Sequence, residues 1–135
     1  MPKQIFVNLP IKDLAASIAY YKALGFDHNP QFTDDTAACI VISDTIYVMV
    51  LTHDKFKQFS DLPIPDATQQ RQALYAMDFE SREAVDAIAE KALSAGGRET
   101  RDTQDMGFMY SRAFADPDGH TWEYFWMDMS QMPSE

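Results

Sequence analysis

The sequence contains one cysteine, Cys39, so no internal disulfide can brace the fold. Cys39 stands in the apolar run 37–42, where a thiol behaves as a small buried hydrophobe and a catalytic role is not expected. No apolar run approaches the roughly 20 residues a membrane helix needs. The opening residues Met1-Pro2-Lys3-Gln4 lack the apolar stretch of a signal peptide, so a cytoplasmic protein with no membrane partner is expected. Positive charge is scarce: 11 Lys and Arg are scattered among 21 Asp and Glu, for a net charge of −10. That surface repels a phosphate backbone, which excludes nucleic acid as a partner. Apolar residues are plentiful by contrast, and 46% hydrophobic with 13% aromatic side chains in 135 residues suffices for one packed core.

Residues 4–11 are rich in apolar and β-branched side chains and include Pro10, which suits a strand end. Asp13 offers an N-cap oxygen, and Leu14, Ile18 and Tyr21 recur at helical spacing until Gly25 supplies a left-handed stop. Strands are predicted next at 26–32, 37–42 and 46–52, separated by the turn formers Thr33-Asp34-Asp35-Thr36 and Ser43-Asp44-Thr45. The stretch 53–70, with Pro63, Pro65 and a short helical fragment at 55–59, breaks the pattern and reads as a connector.

Beyond the connector the order repeats. A strand is predicted at 72–80, and Ser81 caps a helix with an apolar stripe of Val85, Ile88, Ala89, Ala92 and Leu93, ended by Gly96 and Gly97. Strands follow at 99–103, 108–115 and 120–127, the last two joined by the turn Asp116-Pro117-Asp118-Gly119. Lys91-Ala92-Leu93 echoes Lys22-Ala23-Leu24 at the corresponding helix end. A duplicated unit that cannot cover its own sheet face normally pairs with its twin.

Three stretches carry a family resemblance: Leu9-Pro10-Ile11-Lys12-Asp13-Leu14 leading into Ala19-Tyr20-Tyr21-Lys22-Ala23-Leu24-Gly25-Phe26, then Phe108-Met109-Tyr110, then Asp116-Pro117-Asp118-Gly119-His120-Thr121-Trp122-Glu123. Together they resemble the vicinal-oxygen-chelate superfamily of glyoxalases, bleomycin-resistance proteins and extradiol dioxygenases. The resemblance implies an α+β fold of two paired βαβββ modules forming a curved mixed β-sheet cleft with flanking helices. It places one domain over 1–135, with module one at about 1–53, the connector at about 54–70 and module two at about 71–128. Whether modules pair within a chain or exchange between two chains stays open, and a homodimer is expected.

Family members that do metal chemistry take His or Glu ligands from the first and last strands of each module, and the metal acts as a Lewis acid on two vicinal substrate oxygens. The corresponding positions here are Phe6, Val50, Leu74 and Glu123, of which only Glu123 can ligate. A shift of one residue would bring up Ile5 or Val7, Met49 or Leu51, and Ala73 or Tyr75, none a usual ligand. His28, His53 and His120 read as surface or turn residues. One carboxylate cannot hold a transition metal, so neither the usual metal centre nor another cofactor is expected.

Glu123 would then point into the cleft beside Thr121 and Phe125, as a candidate base or hydrogen-bond acceptor, or as a carboxylate paired with Arg112 or a backbone amide. The expected ligand-binding set is Phe6, Asn8, Val50, Thr52, Leu74, Ala76, Met106, Phe108, Tyr110 and Glu123. The implied function is capture of a small, largely apolar molecule carrying a donor or cationic group, without the usual metal centre. The alternatives are a metal-dependent glyoxalase-like lyase or ring-cleaving dioxygenase with a displaced ligand set, and a ligand-free structural dimer module.

Overall fold

Alternation of burial along Ile5–Ile11 identifies the first strand: Leu9 and Ile11 are buried while Phe6 and Asn8 stay exposed on the other face. The computed structural model describes residues 1–131. It divides into two units, Met1–Asp66 and a second that begins at Ala67. The fold is mixed α+β, with one mixed sheet in each unit.

In the first unit, strand β1 (Ile5–Ile11) is followed by helix α1 (Leu14–Ala23), a short β2 (His28–Asn29), β3 (Ala37–Val41), β4 (Ile46–Thr52) and a one-turn helix α2 (His53–Phe56). The strands lie in the order β1-β4-β3-β2. Strands β1 and β4 run parallel and β3 and β4 antiparallel. The Asp13 side chain caps α1 by accepting from the Ala16 N–H at 3.0 Å. The residues α1 buries are Ser17, Tyr20 and Tyr21, with Leu24 buried at its C-cap, whereas the expected Leu14 and Ile18 are only half-buried; the rings of Tyr20 and Tyr21 meet edge to face.

The expected strand 26–32 shrinks to His28–Asn29 because Pro30 cannot donate to the ladder. The chain instead turns through Pro30–Phe32 as a 3-10 helix, with the Asn29 side chain accepting from the Gln31 N–H at 3.0 Å.

The second unit repeats the arrangement with β5 (Leu74–Asp78), α3 (Arg82–Ser94), β6 (Arg98–Glu99), β7 (Gln104–Asp105), β8 (Met109–Ala115) and β9 (Thr121–Met127). Its order is β5-β9-β8-β6, with β7 also pairing with β8. Ser81 caps α3 at the Ala84 N–H, and Val85, Ile88, Ala89 and Ala92 are buried, whereas Leu93 is exposed. Of the expected strand 99–103 only Glu99 lies in a strand, at the end of β6. The Thr100 N–H still donates to the Ala113 carbonyl at 3.0 Å, and residues 101–103 then leave β8 as Arg101 turns its guanidinium onto β8 and β9, with the short β7 following.

The turn between β8 and β9 is held from within. The buried Asp116 side chain accepts from the N–H groups of Asp118 and His120 at 2.9 and 3.0 Å. Gly119 has φ of +94°, and a Cβ there would come within 2.5 Å of the Ala67–Thr68 backbone. A glycine is required at that position by sterics as well as by conformation.

Candidate functional site

Cross-strand register decides which side chains share a sheet face. Strand β9 pairs with β5 and β8 so that Glu123 lies between Ala76 and Ala113. Its own face also carries Thr121, Phe125 and Met127 from β9 and Met109 and Ser111 from β8. The opposite face carries Tyr110, Arg112, Phe114, Trp122 and Tyr124 and meets α3, as the hydrogen bond from Tyr110 to Asp86 shows. Glu123 therefore stands on the face opposite α3, where Ala76 on one side leaves room above the strand while Ala113 on the other is buried.

That room is a concavity of about 200 Å³. Met109, Phe125 and Met127 give it apolar walls, Ala76 lies beside Glu123, and Gln104 and Ser111 supply neutral polar groups. Arg101 enters from residues 100–103 and donates through Nη2 to Glu123 Oε2 at 2.6 Å and to Ser111 Oγ at 2.7 Å. Its Nη1 donates to the Asp102 carbonyl at 3.1 Å. The Arg101 and Glu123 side chains are 26% and 25% exposed, so the pair is mostly withdrawn from water. Ion pairs at such depth are geometrically constrained because each charge depends on its partner for compensation. Glu123 Oε1 has no hydrogen-bond partner among the described residues.

The partner of Glu123 is thus Arg101, which corrects the expectation that it pairs with Arg112 or a backbone amide. Arg112 projects from the other face, where it meets Asp86 at 3.1 Å, Glu99 at 3.3 Å and Glu90 at 3.9 Å. Burial opposes the charge on Arg112, but its hydrogen bonds to Glu99 and Asp86 outweigh that cost and raise its pKa. Tyr110 is tied into the same network: its O–H donates to Asp86 at 2.7 Å, and this bond, with burial, raises the phenol pKa.

The structure brings together some of the expected binding residues and separates others. Leu74, Ala76 and Glu123 share one face of the second unit's sheet, while Tyr110 lies on the α3 face and cannot join them. Phe108 and Met106 belong to the loop before β8, and Met106 is exposed. In the first unit, Phe6 and Asn8 share a face with Tyr47 and Met49. Phe6 stacks on Tyr47 with ring centres 4.8 Å apart. Val50 and Thr52 lie on the opposite face, where Val50 is wholly buried, and the Thr52 side chain caps α2 at the Lys55 N–H. The Phe6 and Asn8 face carries a second concavity of about 360 Å³, walled by Leu51, Phe56 and Phe59.

Sequence reasoning missed Arg101, Gln104, Met127, Met109 and Ser111. A hairpin count could have found the last two. With Ala115 opposite Thr121 across the turn, position 111 falls opposite 125 and 109 opposite 127, so the odd-numbered residues of β8 share the Glu123 face. Arg101 leaves no such signal, since it lies between strands.

The donor set does not fit the family's metal. Near Glu123 the same face offers thioethers, an amide, a hydroxyl and aromatic carbon, and the guanidinium of Arg101 sits 2.6 Å from the carboxylate, where a second cation would be repelled. Among the described residues no group of three His, Cys, Asp or Glu side chains is placed to hold a metal ion. Cys39 is buried away from solvent, and burial pushes its thiol pKa up.

Two mixed sheets, each with a helix on one face, define the fold of the vicinal-oxygen-chelate proteins. Residues 3–124 match the Glyoxalase/Bleomycin resistance protein/Dioxygenase superfamily, and the chain belongs to it. Among solved structures it is similar to a hypothetical protein from S. aureus at 28% identity, with 93% of this chain and 94% of that one covered and a TM-score of 0.78. It also resembles a glyoxalase-related enzyme from Fulvimarina pelagi (20% identity, 93% and 88% covered, TM-score 0.78). The fosfomycin resistance protein FosX from Mesorhizobium loti shares the fold at 14% identity, with 97% of each chain covered and a TM-score of 0.72. No curated protein sequence matches the chain.

Proposed function

We propose that this protein binds a small, largely apolar molecule on the sheet face of its second unit opposite α3, with Glu123 as the polar contact and without the family's metal centre. The observation that carries the reading is a concavity walled by Met109, Phe125 and Met127 that contains one carboxylate paired with Arg101 through one oxygen, the other oxygen having no partner among the described residues. Apolar walls supply affinity by burial and a few fixed polar groups supply orientation. Methionine walls adapt to different flat or aliphatic shapes. Leu74 and Ala76 from β5 extend the same face. Phe6 and Asn8 form a second contact surface in the first unit on this reading.

The unpartnered Oε1 favours a second reading as well, in which Glu123 accepts a proton from a bound substrate in a glyoxalase-like reaction. A thermal-shift screen of native protein and Glu123→Gln separates the two, because Gln keeps the shape and removes the charge. Aromatic or aliphatic compounds with a hydrogen-bond donor should stabilise the native protein more than the variant. Equal stabilisation removes Glu123 from the site, and turnover of a glutathione thioester replaces the binding reading with the enzymatic one. A cytoplasmic homodimer completes the proposal, supported by exposed apolar side chains at Ile5, Phe6, Ile46 and Leu74.

A further inference from the structure

The structure assigns to Arg101 the role of specificity determinant in the Glu123 concavity: it makes the site select neutral ligands with one N–H or O–H donor over ligands that carry a cation. The inference rests on the binding reading above and sharpens it, since a lone carboxylate among apolar walls would be expected to prefer a cationic group.

The geometry gives the reason. Arg101 Nη2 lies 2.6 Å from Glu123 Oε2, and Ser111 Oγ at 2.7 Å together with the Asp102 carbonyl at 3.1 Å fixes the guanidinium in place. The carboxylate and guanidinium fields largely cancel at a distance of several ångströms, leaving a dipole whose attraction for a charge falls off faster than that of a bare anion. A ligand cation entering this space would surrender hydration and meet Arg101 as well as Glu123, so its loss of solvation is poorly repaid. A neutral donor gives up little hydration and still gains a hydrogen bond to a charged acceptor, because Oε1 has no partner among the described residues. Other ionic side chains near this stretch are already committed elsewhere: Arg82 to Asp105, and Arg112 to Asp86 and Glu99. Neither substitutes for Arg101.

The test uses the full chain at pH 7 and two matched probe pairs: benzyl alcohol against benzylammonium, and butan-1-ol against butylammonium. Dissociation constants come from NMR titration of the Ser111, Glu123 and Phe125 amides. In native protein each alcohol should bind about tenfold more tightly than its ammonium partner. Arg101→Met, which keeps the stem and removes the charge, should reverse the order, and Arg101→Lys should keep the native order. A native preference for the ammonium probes overturns the inference, as does an unchanged ratio in Arg101→Met. Should Arg101→Met not fold, the native ratio and Arg101→Lys decide by themselves. If neither member of either pair shifts these amides in native protein, the binding reading falls and the inference falls with it. Binding at these amides with no neutral preference sinks the inference alone.

Discussion

Arg82 and Asp105, 23 residues apart in sequence, meet in a two-pronged ion pair: Nη1 donates to Oδ2 at 2.7 Å and Nη2 to Oδ1 at 2.9 Å. Nη2 also donates to the Gly107 carbonyl at 2.8 Å, and the guanidinium lies over the rings of Tyr110 and Trp126. The N-terminus of α3 thereby holds the short strand whose Gln104 lines the Glu123 concavity.

The hydrogen bonds from Arg82, with that from the Gly107 N–H, lower the Asp105 pKa from 3.8 to about 2. A folded-state pKa below the ordinary value means that the pair's contribution is present above about pH 4 and is lost as pH falls toward 2. The Asp105 carboxyl carbon, followed by NMR, should titrate near 2 in native protein and move back toward 3.8 in Arg82→Met. The melting-temperature gap between the two proteins should narrow across the same window. A constant gap from neutral pH down to 2 would show that the pair adds nothing to stability.

Gly119 and Gly25 both have positive φ, but only Gly119 has backbone within reach of a Cβ. Gly25→Ala should cost about 1 to 2 kcal/mol through conformation alone. Gly119→Ala adds a collision with the Ala67–Thr68 backbone and should cost about 3 kcal/mol or more. Urea denaturation compares them, and equal losses would mean that the backbone at 67–68 gives way freely.

Arg112 is only 13% exposed and meets Asp86, Glu90 and Glu99 while lying over the Phe114 ring. Arg112→Met keeps most of the packing and leaves like charges facing one another. Asp86 and Glu90 are well exposed and can rehydrate, so the expected loss is about 1 to 3 kcal/mol rather than that of a sealed ion pair. The loss should shrink at high salt, which screens the remaining carboxylates.

Protein purified without chelator should carry well under one equivalent of Ni, Zn, Fe, Mn or Co, and treatment with chelator should leave its melting temperature unchanged. Elemental analysis and thermal unfolding check both statements, and a stoichiometric, tightly held metal contradicts the reading of the donor set.

In solution the chain should behave as a dimer of about twice its 15.4 kDa mass. Light scattering across a range of concentrations tests this, and a persistent monomer would leave Ile5, Phe6, Ile46 and Leu74 as ordinary exposed side chains.

Much of the fold was legible because period and punctuation agree. Asp13 and Ser81 cap the two helices, Gly25 and Gly96 follow their ends, and the long strands fall where alternation and β-branched residues put them. The short strands were less legible, since two-residue ladders such as His28–Asn29 and Gln104–Asp105 are set by their partners and carry no period of their own. Of the candidate site, the face on which Glu123 stands was legible, since it follows from simple alternation with Thr121 and Phe125. The facing of Tyr110, Val50 and Thr52 was not legible: Tyr110 lies on the opposite face from Glu123, and Val50 and Thr52 on the opposite face from Phe6 and Asn8, because one step of register moves a side chain through the sheet. Arg101 was illegible because a side chain reaching across 22 residues to its partner obeys no local pattern.

The seat of Gly119 against residues 67 and 68 also says where this polypeptide can be divided. The turn leans on backbone more than five residues ahead of β5, in a stretch that secondary structure alone would assign to a dispensable tether. A fragment begun at the first strand residue, Leu74, would lack that buttress and expose the turn, whereas one begun at or before Ala67 retains it. Protease cuts between 60 and 66 should accordingly be tolerated far better than cuts at 67–68, so the true seam lies ahead of the place that strand boundaries suggest.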